Sequence, residues 1–131
     1  PTLKMFQWSL LTNGADTVNN PLITTALLQR GAYYRAGGVV LFGTDVGYMT
    51  DYSTVAEFEL MSRAGLHFRD ILQSLTTAPA KKFGSAATCG RIAPGMDADI
   101  VLLTADPAQD SRNFASVAYT ISKGRIIYSR Q

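Results

Sequence analysis

The chain carries one histidine and one cysteine in 131 residues, and each scarcity excludes chemistry. A single cysteine, Cys89, forbids an intrachain disulfide, so a reducing, cytoplasmic setting is the natural expectation. A lone histidine, His67, cannot build a histidine-rich zinc centre, which needs several converging His or Cys ligands. Charge of one sign is also lacking: 12 basic against 10 acidic residues leave a net charge of +2. The longest cationic run is Lys81–Lys82, far from the basic stripe of a nucleic-acid surface. No apolar run approaches the roughly 18 residues of a membrane span. The segment Pro1 to Leu11 lacks the long apolar stretch and small-residue cleavage site of a signal peptide. Neither nucleic acid nor membrane is therefore expected as a partner. Length excludes one architecture outright, because a complete (β/α)8 barrel needs about 250 residues.

What is present suits a packed domain, with 47% apolar and 17% charged residues. Phe6, Trp8, Leu10 and Leu11 read as a short strand or an anchoring arm, and Thr12–Asn13–Gly14 as a turn. Asn20–Pro21 reads as the capped start of a helix that carries Leu22, Ile23, Ala26 and Leu27 and stops at Gly37–Gly38. Val39–Val40–Leu41–Phe42 is a short, wholly apolar run of the kind buried on both faces in a parallel sheet. After a polar loop, Thr54 and Glu57 make a capping-box signature for a second helix. Phe68, Ile71, Leu72 and Leu75 recur at i, i+3, i+4 and i+7, an amphipathic helix, and a further helical turn runs to Phe83. Beyond about Ala86 the character changes. Ile100 to Leu103 reads as a strand, and Val117 to Tyr128 as a hairpin turning at Lys123–Gly124.

Three stretches stand in a telling order. Val40-Leu41-Phe42-Gly43-Thr44-Asp45 is an apolar run ending in Gly-Thr-Asp. Ala64-Gly65-Leu66 is followed by Leu75-Thr76-Thr77-Ala78-Pro79-Ala80. Gly90-Arg91-Ile92-Ala93-Pro94-Gly95 leads through Asp97-Ala98-Asp99 into Ile100-Val101-Leu102-Leu103. Together they resemble the C-terminal part of metal-dependent amidohydrolases, with the flavour of the imidazolonepropionase-like and proline-dipeptidase-like branch. The likeness covers about Ala36 to Arg130. It implies an α+β chain in which the last βα units of an amidohydrolase (β/α)8 barrel, residues 1–85 with a strand near 39–43, join C-terminal strands of the small β-sandwich, residues 86–131.

The resemblance also places Asp45 at the barrel mouth, as a metal ligand and the proton acceptor of the attacking water in a complete enzyme. A divalent metal lowers the pKa of bound water and a neighbouring carboxylate takes its proton. The plain alternative is a residue that only caps the next turn. The same family carries a His-x-His pair, a bridging Lys or Glu and further histidines, none of which this chain has, so Asp45 reads as vestigial here. Other candidates have blander readings. His67 is an exposed helix N-terminal residue, Cys89 an ordinary thiol, and Glu57 the capping-box acid. Glu59 matches a family position that helps orient the loop over the site. Asp97 and Asp99 lack the ligand count of a calcium site, and Asp99 reads as a turn residue that satisfies backbone donors.

The expected function is that of a C-terminal fragment of an enzyme that hydrolyses amide or cyclic-amide C–N bonds, inactive alone. The alternative is a non-catalytic, self-associating domain of the same descent. Expected partners are a missing N-terminal amidohydrolase portion or further copies of the chain, because the apolar run and the strand edges lack neighbours. The rival is a monomer whose Phe6–Leu11 arm folds back over Val39–Phe42. No cofactor is expected on the chain alone, and zinc or another divalent metal is expected in the complete enzyme. Dialysed protein should therefore carry no stoichiometric zinc by elemental analysis; close to one metal per chain would contradict this.

Overall fold

The computed structural model describes residues 2–130. Helix α1 spans Leu3–Thr12 and α2 spans Pro21–Arg35. An extended segment leads to a loop and to α3, Val55–Arg63. Helices α4, Phe68–Leu75, and α5, Thr77–Lys82, follow. The last third holds β1, Ile100–Leu103, a 3-10 turn at Ser111–Ala115, β2, Val117–Ser122, and β3, Arg125–Ser129. The strands form one antiparallel sheet in the order β1-β2-β3. The chain is a mixed α+β assembly of helices and a small antiparallel sheet, and no helix among the described residues is long and apolar enough to cross a membrane.

Local chemistry sets most boundaries. The Asn20 side chain accepts from the Leu22 N–H at 3.0 Å, and Pro21 opens α2. The Asp70 carboxylate accepts from the exposed His67 N–H at 2.8 Å and fixes the start of α4. At the β2–β3 turn Lys123 and Gly124 both take positive φ, 48° and 77°, as a two-residue hairpin of this hand requires. Asp99 accepts from the Lys123 N–H at 2.8 Å and the Ser122 hydroxyl at 3.1 Å, so its carboxylate serves that turn. Gly31 in α2 is dictated by packing, because a Cβ there would strike the Ala64 carbonyl oxygen at the end of α3.

The core gathers Leu3, Ile23, Val40, Phe58, Met61, Leu66 and Ile71 from the helical part, together with Phe114 from the 3-10 turn. Phe114 joins the two halves. Its ring lies 5.3 Å from Phe58 and 5.7 Å from Phe68, while Phe58 stacks on Phe42 at 4.6 Å.

Two expectations need correction. Residues 6–11 form no strand. They lie in α1, where Leu3, Phe6 and Leu10 follow helical spacing and pack on the core beside Val40 and Phe42. The Val39–Phe42 run is extended, yet it is not a strand and joins no ladder. Among the described residues its one backbone bond outside the segment runs from the Phe42 N–H to the Ser74 carbonyl at 3.1 Å. A strand is defined by its neighbours, and the described residues offer this run none. Val40 is buried while Val39 is 61% exposed.

Truncating Phe114 to alanine should cost about 3–5 kcal/mol, read from urea unfolding. A loss under about 1 kcal/mol, the scale of a surface substitution, would show that the ring does not hold the sheet to the helices.

Candidate functional site

The extended run ends in Gly43-Thr44-Asp45, and the loop that follows is tightly wound. The Asp45 carbonyl accepts from the N–H groups of Tyr48 and Met49, both at 3.2 Å. Met49 is buried and anchors the turn. Asp45 itself has φ +51°, a left-handed conformation that costs a non-glycine residue roughly 1–2 kcal/mol, least for Asn and Asp.

The first turn of α1 faces this loop. The Thr2 hydroxyl donates to Asp45 Oδ2 at 2.9 Å, and the Thr2 N–H reaches the same oxygen at 3.3 Å. Two residues on, the Lys4 N–H donates to Glu57 Oε2 at 2.6 Å. Two carboxylates from distant parts of the sequence thus meet the orphan N–H groups of one helix N-terminus, where negative charge is favoured.

Lys4 and Glu57 are the deepest charges among the described residues, each with 1% of its side chain exposed. The Lys4 ammonium donates to the Asp51 carbonyl at 2.7 Å, to the Ser53 carbonyl, and to the Asp51 carboxylate at 3.1 Å. Three donors find three acceptors, which is the condition for keeping an ammonium out of water. Backbone donation from Ser53 and then the Lys4 ammonium hold the Asp51 carboxyl below its ordinary range. Glu57 moves the other way. Burial pushes its carboxyl up, against the opposing pull of the Lys4 and Leu3 N–H groups and of Arg30, whose guanidinium lies 4.0 Å away; the charge of Asp45 adds to the rise.

The capping box expected from Thr54 and Glu57 is therefore absent. Thr54 makes no side-chain cap bond, and Glu57 is buried, turned to a backbone 53 residues away in sequence. Sequence reasoning missed both Lys4 and the true partner of Glu57. Glu59 is exposed and acts electrostatically on Arg112, whose own ion pair is with Asp110 at 2.6 Å. Cys89 is half-buried, its Sγ 3.1 Å from the Ser85 hydroxyl.

Between α1, α2 and the extended run lies a groove of about 440 Å³, walled by Leu3, Phe6, Ala26, Tyr33, Val39 and Leu41. No three His, Cys, Asp or Glu side chains converge to hold a metal among the described residues. The donors of this chain do not by themselves fit the metal centre that its resemblance implies.

Comparison with known proteins places this geometry. The sequence pattern of the Amidohydrolase family matches residues 23–127. Imidazolonepropionase of Thermoplasma acidophilum is 31% identical over 129 residues, covering 90% of this chain but 31% of its own length. A Xaa-Pro dipeptidase crystallised with methionine in its active site superposes with a TM-score of 0.69 at 28% identity, over 84% of this chain and 26% of that one. An uncharacterised protein covers 99% of this chain and 35% of its own, with a TM-score of 0.75 at 24% identity, and so speaks for the fold alone. The chain thus spans about a third or less of each of these proteins.

Because the Glu57 carboxyl is raised in the folded state, its contribution to stability is full below the ordinary carboxylate range and is lost as pH rises through the raised value. Unfolding free energies of wild type and Glu57→Gln, compared from pH 3 to 8, should therefore shift in the variant's favour with rising pH. A shift in favour of the wild type would contradict the assignment.

Proposed function

This chain belongs to the amidohydrolase family, and we propose that it is the C-terminal segment of a metal-dependent member that hydrolyses amide or cyclic-amide C–N bonds. On this reading Val39–Gly43 is the last strand of the barrel, waiting for its neighbour, and the β1-β2-β3 sheet is part of the small β-sandwich. The observation that carries the proposal is Asp45. A carboxylate follows an apolar extended run, sits in a left-handed turn and is gripped by the first turn of α1.

The family is typically metal-dependent, and this chain offers Asp45 as one ligand among several that must come from elsewhere. What the chain itself can contribute is a carboxylate that orients a water and takes its proton as the water adds to the carbonyl carbon. The groove along Val39 and Leu41 suits an incoming strand, which would pair with the run and cover its exposed side. Exposed Val101, Leu102, Ile126 and Ile127 on the small sheet call for cover in the same way. They also support a second reading, a self-associating domain without catalysis, in which another copy supplies the cover.

Co-expression with an N-terminal amidohydrolase portion carrying the His-x-His pair separates the two. The expected result is a stable complex that hydrolyses dipeptide or imidazolone substrates while neither part does so alone, with Asp45→Asn lowering the rate by about 10²-fold or more. A self-associated chain that ignores the added portion would decide for the second reading.

A further inference from the structure

Among the described residues, Asp45 is held by one oxygen. Both Thr2 donors converge on Oδ2, and Oδ1 accepts no hydrogen bond from the described residues. The Thr2 hydroxyl has a second task, since it accepts from the Met5 N–H at 3.3 Å as the N-cap of α1. A hydroxyl has one proton. With the Met5 N–H occupying its acceptor side, that proton is directed at Asp45. The helix cap thereby fixes the direction of the donor, and the donor fixes the carboxylate. Thr2 is buried, at 7% exposure, so water competes little for the contact, while Asp45 itself remains exposed.

We propose that Thr2 is a positioning residue for Asp45, gripping Oδ2 so that Oδ1 is presented to the reaction in one orientation. This rests on the reading of Asp45 given above and deepens it. A carboxylate that works on a substrate or water gains from an orienting partner on its other oxygen, and loss of such a partner costs about 10–100-fold in affinity or activity. The strained φ of Asp45 accords with a position that its surroundings over-determine.

The test follows the Asp45 side chain in this chain by carbon-detected NMR, using the three-bond couplings that report χ1. Helix α1 is monitored in the same samples by its Cα shifts. Wild type and Thr2→Ser, which keep the hydroxyl, should show one dominant Asp45 rotamer. Thr2→Val should show averaging. Thr2→Asp is the control for folding: it caps α1 well but offers no side-chain donor, so averaging is expected with α1 intact. A single unchanged rotamer in Thr2→Asp with α1 intact would overturn the proposal. In the reconstituted pair, Thr2→Val should lower kcat by about ten-fold or more with KM unchanged, and Thr2→Ser should restore it. Unaltered kcat in Thr2→Val would equally overturn it. A pair inactive with the wild-type sequence defeats the reading of Asp45 and, with it, the positioning role, even if the rotamer result shows the contact; a pair active with wild type but indifferent to Thr2 defeats the positioning role alone.

Discussion

Lys4 is a charge with almost no access to water, and the architecture around Asp45 depends on how that charge is satisfied. Its ammonium ties the first turn of α1 to Asp51 and Ser53, while its N–H ties the same turn to Glu57 in α3. Loss of these acceptors would leave the ammonium unsatisfied in a place that water hardly reaches. The loop that carries Asp45 is thus bounded at both ends by α1: Thr2 holds Asp45, and Lys4 holds residues 51 and 53. The intervening turn closes through Met49. Opposite pKa displacements at Asp51 and Glu57 are the electrostatic signature of one carboxylate at the rim of this cluster and another inside it.

The other half of the structure is governed by what it lacks. Helices α1 and α2 wall a groove along the Val39–Leu41 run, and Val39 stays 61% exposed. The N-terminal segment packs beside the run as a helix. The sheet repeats the situation, because every residue of β3 is exposed and apolar side chains stand on it without cover. The chain spans about a third of the length of these relatives.

Local signals were legible in the sequence. Asn20–Pro21 marked the start of α2, the apolar spacing of Phe68 to Leu75 marked α4, and Lys123–Gly124 marked the hairpin turn. The place of Asp45 at the end of an apolar extended run was legible from Gly-Thr-Asp; its contact with Thr2, 43 residues away in sequence, was not. The failures share a cause. Phe6, Trp8 and Leu10 alternate at period two, which hid the helical set Leu3, Phe6 and Leu10. Glu57 stands three residues after Thr54, as a capping box requires, but a backbone donor 53 residues away outcompetes the local bond. The run at Val39 has the composition of a strand, while the state of a strand depends on a partner that composition cannot supply. Lys4 gave no signal, since nothing local distinguishes a lysine that will be buried from one that will be solvated.

On the proposed reading, Val39–Gly43 is a barrel strand without its neighbour, leading to a working carboxylate. Residue-resolved hydrogen exchange at the amides of Val39, Leu41 and Gly43 tests it most directly, on the chain alone and again with the His-bearing amidohydrolase portion. The expected result is fast exchange alone and slowing by orders of magnitude in the mixture, while the amides of α4 remain protected in both. Equal exchange at the three amides in the two samples, with a complex demonstrably formed, would contradict the claim.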